Sequence, residues 1–276
     1  MASAKDIVVK PISSKAANAV VKRVHYSGKV VQNSSLHFGA FLNGKLEGVM
    51  SFGSPMDKKK VLPMVSGTSW TGMLELNRMA FSDVLPRNSE SRAMAVAFKL
   101  IRKHYPHIEW ILSFSDGTQC GDGTIYRASG FILTSIKENS SLYETPSGVP
   151  IARMTWDSAA PERRVQIAKK YGFKEYDASS FLTKTVKMNG MSSLKGYQLR
   201  YIYFINKDAR NRLTVPEIPF SDIDEMGAGM YKGERLTMAE RKGNISVRRR
   251  NEANSGDQLE SGGATPTSTL HSKEVY

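Results

Sequence analysis

The sequence predicts an α/β fold, a mixed central sheet flanked by helices, followed by a disordered C-terminal tail. Three observations predict it. Apolar runs of strand length alternate with helix-length amphipathic segments, the pattern of mixed α/β domains. Asn43-Gly44 stands between two apolar runs, a strong β-hairpin signal. Beyond Pro219 hydrophobic residues thin out while Gly, Ser, Asn, Thr and Glu dominate, a composition that cannot offset the entropy of ordering. The expected organisation is one catalytic domain over residues 1–220 and a flexible tail over 221–276, carrying one basic cluster at Arg248-Arg249-Arg250.

The elements follow in order. Ser14 to His25 reads as a helix, with Ser13 or Ser14 to cap it and Ala17, Val20, Val21 and Val24 at helical spacing. Leu36–Leu42 and Leu46–Phe52 are the hairpin strands. Gly53-Ser54-Pro55 ends the second, and Lys58-Lys59-Lys60 reads as exposed loop. Met73–Phe81 is a third strand. Ser91–His104 is the best helix, apolar along Ala93, Met94, Ala97, Phe98, Leu100 and Ile101, with Lys99, Arg102 and Lys103 placed to suit its dipole. Ile108–Ser115 is nearly continuous in apolar residues, as a buried central strand should be. Gly123–Ser129 is a short helix, Phe131–Ser135 a strand, Arg163–Tyr171 a helix and Tyr197–Ile205 an aromatic strand.

Composition narrows the function. At roughly 150 residues per domain the 276-residue chain holds one or two domains. No apolar run reaches the ~18 residues of a membrane span, and Met1 to Lys10 lacks the apolar core of a secretory signal. The lone Cys120 excludes an internal disulfide and a cysteine-based zinc site, which points to a reducing compartment. A net charge of +13 favours a polyanionic partner, and without a basic amphipathic helix that partner reads as nucleic acid rather than lipid.

The run Leu76 to Phe131 resembles a GNAT acyltransferase: strand, turn, long helix, strand, and a short helix ending Tyr126-Arg127-Ala128-Ser129-Gly130-Phe131. The usual glycine-rich pyrophosphate loop of that family is replaced by Pro86-Arg87-Asn88-Ser89-Glu90-Ser91-Arg92. More narrowly, four motifs over roughly residues 15–145 resemble the Mom proteins of Mu-like bacteriophages. They are His25-Tyr26-Ser27-Gly28-Lys29; Leu76-Asn77-Arg78; Asn88-Ser89-Glu90-Ser91; and Leu112-Ser113-Phe114-Ser115-Asp116 followed by Gly123-Thr124-Ile125-Tyr126-Arg127-Ala128. Two departures stand out. Phe114 replaces the family's tyrosine, and Cys120-Gly121-Asp122-Gly123 replaces its Gly-His-x-Gly loop. The resemblance implies a GNAT-like transferase working in the cytoplasm of an infected bacterial host. It would put a small acyl-derived group, of carbamoylmethyl or glycinamide type, on the exocyclic amino group of adenine in phage DNA and so protect it from restriction.

Each candidate residue has a functional and a structural reading. Ser91, with Ser89 and the flanking Arg87 and Arg92, sits where a helix begins; exposed amides there suit the phosphates of an acyl-CoA-type donor, acetyl-CoA above all, or simply cap the helix. Arg78 is a charge inside an apolar run and needs a partner. By strict alternation Glu75 faces away, which leaves Asp116 as the expected partner. Asp116 either helps activate the attacking amine or starts a turn. Tyr126 occupies the position of the GNAT general acid, or packs in the core. By resemblance His25 and Tyr26 are iron ligands, although neighbours at a helix end do not project alike; a capping histidine is the structural alternative. Cys120 reads as incidental. Lys58, Lys59, Lys60, Lys169 and Lys170 are the cations expected to meet duplex DNA, or are solvated surface. The strand Tyr197–Phe204 is either a stacking element or core.

Three functions fit: a DNA adenine-modifying transferase, a conventional acetyltransferase acting on a protein or small amine, and a non-catalytic DNA-binding protein on a GNAT scaffold. The missing glycine loop and the basic charge favour the first. Oligomeric state is open, a homodimer included.

Overall fold

The computed structural model describes residues 2–231 and 234–236. In chain order the elements are β1 (Val8–Pro11), α1 (Ser14–Val24), β2 (Ser34–Leu42), β3 (Lys45–Gly53), α2 (Lys58–Val61), β4 (Met73–Phe81), α3 (Ser89–His104), β5 (Trp110–Asp116), α4 (Thr124–Ala128) and β6 (Ile132–Glu138). They continue with β7 (Leu142–Tyr143), β8 (Ile151–Ala152), α5 (Arg153–Asp157), α6 (Pro161–Tyr171), α7 (Leu182–Met188), β9 (Tyr197–Phe204), α8 (Asp222–Glu225), β10 (Met230–Tyr231) and β11 (Glu234–Arg235). Seven strands form one sheet in the order β1-β2-β3-β4-β5-β9-β6. Every neighbouring pair is antiparallel except β4 and β5, which run parallel with α3 as their crossover.

The alternating residues of the sheet explain its two covered faces. Phe38, Met50, Phe52, Leu76, Ile111, Leu199 and Tyr201 bury one face under Ala93, Met94, Ala97, Phe98 and Ile101 of α3. Opposite them, Val49 and Ala80 meet Ala17, Val20 and Val21 of α1. Further along that face, Met73, Trp110, Leu112 and Ile202 pack with Val61 and Val65.

Four expectations change. Val8–Pro11 is a strand that the sequence hid, because an edge strand with mostly exposed residues has no apolar alternation to read. Lys58-Lys59-Lys60 is helical, opened by the Asp57 side chain accepting from the Lys60 amide and tied down by buried Val61. Tyr197–Phe204 is core: it lies between β5 and β6, with Tyr197, Leu199, Tyr201 and Ile202 buried, so it offers no stacking face. The folded domain also runs past residue 220. Ile223, Ala228 and Met230 join the main core, and the Tyr197 hydroxyl donates to the Met226 carbonyl at 3.1 Å. The Arg248-Arg249-Arg250 cluster and most of the expected tail lie outside the described residues.

Between β6 and β9 the chain makes an insertion with its own core. Trp156, fully buried, is surrounded by Ile151, Ile167, Ala168, Tyr171, Phe173, Leu182 and Val186. Buried Arg164 ties its loops by donating to four backbone carbonyls, those of Trp156, Asp157, Ala178 and Ser180, at 2.9–3.0 Å.

Candidate active site

The sheet opens at its centre. β4 and β5 pair only over Met73–Glu75 against Trp110–Leu112. Past that point β4 bonds only to β3, and Ser113–Asp116 of β5 bond only to β9. The peptide groups lining the gap therefore lack ladder partners and are free to bind something else.

A β-bulge sets what faces the gap. Opposite β3, Phe52 pairs with Leu76 and Ser51 with Arg78, so Asn77 is the extra residue. Its effect is visible in the packing: Leu76 and Met79, three apart, both join the α3 face, which strict alternation forbids. Arg78 is thereby turned onto the face of Glu75, and the two feel each other's charge. The expected opposition of Glu75 and Arg78 is thus overturned by one inserted residue. The expected Arg78–Asp116 pair is not formed either. Arg78 donates from Nε to the Lys29 carbonyl at 2.9 Å and from an NH1 nitrogen to the Asn77 carbonyl at 2.7 Å.

Glu75 is the residue that sequence reasoning missed. Burial pushes its carboxyl up to about 7, against the downward pull of a hydrogen bond from Asn77 and of the Arg78 charge. A carboxyl poised there can take or hold a proton at neutral pH.

Tyr126 enters from the other face. Gly123 starts its helix with φ of 79°, and a Cβ there would sit 2.5 Å from the Tyr201 ring, so only glycine fits. Asp122, which stands in the loop that departs from the family pattern, accepts from Arg127 at 3.1 Å and from Thr124 at 2.9 Å, fixing the turn. Tyr126 packs against Phe131 and Tyr201 at 5.1 and 5.3 Å between centroids. Burial raises its pKa to about 12; the neighbouring Ser113 hydroxyl pulls it down, and Cys120 and Glu75 push it up. The phenol is therefore held protonated. Asp116 ends β5 and accepts from the Thr118 amide at 3.0 Å, Gln119 Nε2 at 3.2 Å and Asn139 Nδ2 at 3.4 Å. These three donors tie the loop that follows β5 to its carboxylate.

His25 and Tyr26 close the gap from the end of α1. Their rings lie against each other, with centroids 4.2 Å apart, contrary to the expectation that they diverge. The Tyr26 hydroxyl feels Asp116, Cys120, Arg78 and Tyr126, so Arg78, Asp116 and Tyr126 gather round it. The ring pair alone does not make an iron site. The His25 Nδ1 accepts from the Ser27 amide at 3.1 Å, so Nε2 carries the proton of the neutral ring; a metal on Nε2 would need the reverse tautomer. Desolvation lifts the Tyr26 pKa to about 12. Among the described residues no three His, Cys, Asp or Glu side chains form a group able to hold a metal.

The α3 start is a second cluster. Asn88, at φ 67°, precedes the helix without capping it; the Ser89 hydroxyl turns back to the Pro86 carbonyl at 2.5 Å and that of Ser91 to the Asn88 carbonyl at 3.1 Å. Neither serine side chain caps the helix; the Ser89 amide donates to the Pro86 carbonyl at 3.1 Å, which leaves the next two amides, those of Glu90 and Ser91, open beside exposed Arg87 and Arg92. Ser91 is not among the groups that act on Tyr26.

A basic rim flanks the gap. Lys29 reaches Thr155 of the insertion at 3.3 Å, and its pKa is lowered first by desolvation, then by Lys170 and Arg78. Lys169 and Lys170 are exposed on the last turn of α6. Lys60 pairs with Asp57 at 2.9 Å, and Lys58 sits 5.0 Å over the Trp70 ring, so these two cations already have protein partners.

Comparison with known proteins gives a family. Distant likeness to solved acyltransferases covers most of the chain. An N-acyl amino acid synthase from uncultured soil microbes aligns at TM-score 0.40 and 13% identity, over 75% of this chain and 95% of that one. The ribosomal-protein-S18-alanine N-acetyltransferase of Escherichia coli aligns at TM-score 0.38 and 10% identity, over 72% and 94%. In sequence, the methylcarbamoylase Mom of Escherichia phage Mu is 36% identical over 212 residues, 76% of this chain and 80% of that protein. The model of the Mom protein family matches residues 6–222, and with that span and that identity the chain belongs to the Mom family.

Proposed function

We propose that this protein is a DNA-modifying transferase that attaches a small acyl group to the exocyclic amino group of adenine in phage duplex DNA and so protects it from restriction. The observation that carries the reading is the gap between β4 and β5, where a carboxyl poised near neutrality and a protonated phenol meet beside a cationic rim. The description of the Mu relative as a methylcarbamoylase supports a small carbonyl-bearing group.

The open amides at the start of α3, with Arg87 and Arg92, suit the phosphates of an acyl-CoA-type donor. Such a donor would supply an electrophilic carbonyl and a thiolate leaving group. The adenine amino group is a weak nucleophile, because its lone pair is delocalised into the ring, so removal of its proton matters. Glu75 accepts that proton as the new carbon–nitrogen bond forms. Tyr126 gives its proton to the departing sulfur. Asp116 keeps the loop behind Tyr26 in place, and Arg78 holds β4 to the Lys29 turn. Lys29, Lys169 and Lys170 meet the DNA phosphates, which carry affinity without sequence information.

The test is expression of the protein beside a plasmid in bacteria, followed by mass spectrometry of the digested nucleosides. A heavier adenine nucleoside is expected. Unmodified DNA together with an acetylated protein or small amine would overturn the reading in favour of a conventional acetyltransferase. Tyr126→Phe should lower the yield of modified adenine by about 10²–10⁴-fold while leaving DNA binding unchanged; a fully active variant would remove Tyr126 from the mechanism.

Binding to duplex DNA should weaken steeply with salt, since neutralised phosphates release counterions. Each phosphate contact contributes roughly 0.9 to the slope of log K against log salt. Lys29→Ala with Lys170→Ala should reduce that slope by about 2, as read from fluorescence-anisotropy titrations across salt. An unchanged slope would move the DNA to another face.

A further inference from the structure

Ser113 is fully buried, yet among the described residues its Oγ finds no hydrogen-bond partner of ordinary geometry. A buried hydroxyl left so costs stability, and an apolar group of similar size in its place would remove that cost. Its position in the fold explains why a serine stands there. Ser113 is the first residue of β5 beyond the three that pair with β4, so it lies where the sheet opens. Ile111, two residues earlier, is on the α3 face, and by alternation so is Ser113. Directly across the ladder Ser113 pairs with Tyr201, whose ring belongs to the same face and packs on Tyr126 at 5.3 Å between centroids. Neighbouring hydroxyls are directed elsewhere: Ser115 donates to the Gly121 carbonyl and Tyr201 to the Asp122 carbonyl. Burial raises the Tyr126 pKa, and the Ser113 hydroxyl lies close enough to the phenol to oppose that rise.

We infer that Ser113 is a positioning residue for Tyr126: its O–H donates to the phenol oxygen and steadies the negative charge that grows there as the phenol gives up its proton. In the proposed reaction the Tyr126 O–H bond breaks as an S–H bond forms on the departing thiolate. The electron pair of the broken bond stays on the phenolate oxygen. Deep burial makes that charge costly. A donor already beside the oxygen lowers the cost without having to reorganise during the reaction. After the thiol leaves, the phenolate takes a proton back from solvent, and Glu75 loses to solvent the one it took from the amine, so the protons balance. A hydroxyl that is under-bonded until the charge develops stabilises the transition state more than the ground state, which is what speeds a reaction. The inference rests on the proposed DNA-modifying function, with Tyr126 as its acid, and adds the residue that supports the acid.

The experiment measures modified adenine from wild type, Ser113→Ala, Tyr126→Phe and the double variant, each expressed at a low, matched level beside a plasmid, together with melting temperature and duplex binding. Ser113→Ala should lower the yield about 10–100-fold, the worth of one hydrogen bond to a charged group. It should nevertheless melt no lower than wild type and bind duplex DNA unchanged. Ser113→Thr, which keeps the hydroxyl, should stay within a few-fold of wild type. In the Tyr126→Phe background the alanine change should have no further effect, because no phenolate forms there. A purely structural serine behaves otherwise: its loss lowers the melting temperature and costs the same factor in both backgrounds, and either result would overturn the inference. So would a Ser113→Ala variant as active as wild type. If the wild type itself yields no modified adenine, the functional reading fails, and a fully active Tyr126→Phe variant removes the acid. A Ser113→Ala loss undiminished by Tyr126→Phe sinks the positioning role alone.

Discussion

Glu75→Gln should remove DNA modification, by about 10²–10⁴-fold, while leaving the fold and DNA binding intact. Glutamine keeps the size and the hydrogen-bonding reach of the side chain but cannot take a proton. The wild-type rate should rise with pH through about 7, as the carboxyl raised there by burial ionises. The stability change runs the other way. A carboxyl whose folded pKa lies above its unfolded value favours the folded state while protonated, and that advantage is lost as pH climbs from about 4.5 to about 7. The glutamine variant should therefore melt higher than wild type above pH 7, with the difference closing towards pH 5. Loss of activity together with higher stability cannot be mistaken for unfolding. Asp116→Asn, by contrast, should lower activity by loosening the 116–120 loop yet keep the rise through about 7. A glutamine variant that still modifies DNA, or an Asp116→Asn variant that alone loses the pH dependence, would return the base role to Asp116.

Trp156→Ala should cost about 3–5 kcal/mol, concentrated in the insertion. Its indole is fully buried, donates to the Ser180 carbonyl at 2.9 Å, and meets Phe173 and Tyr176 edge-on at 5.7 and 6.3 Å. It also supports Arg164, which lies 5.9 Å over its ring and gathers four loop carbonyls. A core of eight buried residues has few others to make up the loss. Limited proteolysis should cut the variant between residues 140 and 195 at temperatures where the sheet stays protected, and duplex binding should weaken as Lys169 and Lys170 lose their support. Uniform cleavage along the chain would show instead that insertion and sheet unfold together.

The sequence was most legible where a local pattern decides the structure. Met73–Phe81 reads as a strand because apolar residues fill it, and Ala93 to Ile101 as a helix because they recur on one side. The bulge at Asn77 leaves no such mark. It is one residue of offset between two strands distant in sequence, and it reverses the relation of Glu75 to Arg78. That is why Asp116 was expected to pair with Arg78 and Glu75 was passed over. The gap itself follows from β5 turning to β9, some ninety residues further on, and no local pattern encodes that choice. The insertion was half seen: α6 is long enough to show a period, whereas α5 and α7, at five and seven residues, are not. The family motifs carried Tyr126, Asp116 and Arg78 to one neighbourhood, but only the packing distinguishes an open proton acceptor from a carboxylate already occupied by three donors.

The slot that β9 fills has a consequence for how the molecule comes into being. A chain emerging from the ribosome lays down β1 to β6 first, yet β5 and β6 never touch: each is held by β9, the last strand of the sheet to be made. Until residues 197–204 arrive, Ser113–Asp116 have no neighbour on either side, and the insertion must condense on its own core to bring the returning strand within reach. Such late, long-range pairing is slow to form. It also means that Tyr126, whose ring packs on Tyr201 of that strand, cannot take its working position near Glu75 until β9 is in place, so the nascent chain carries its chemistry unassembled until then.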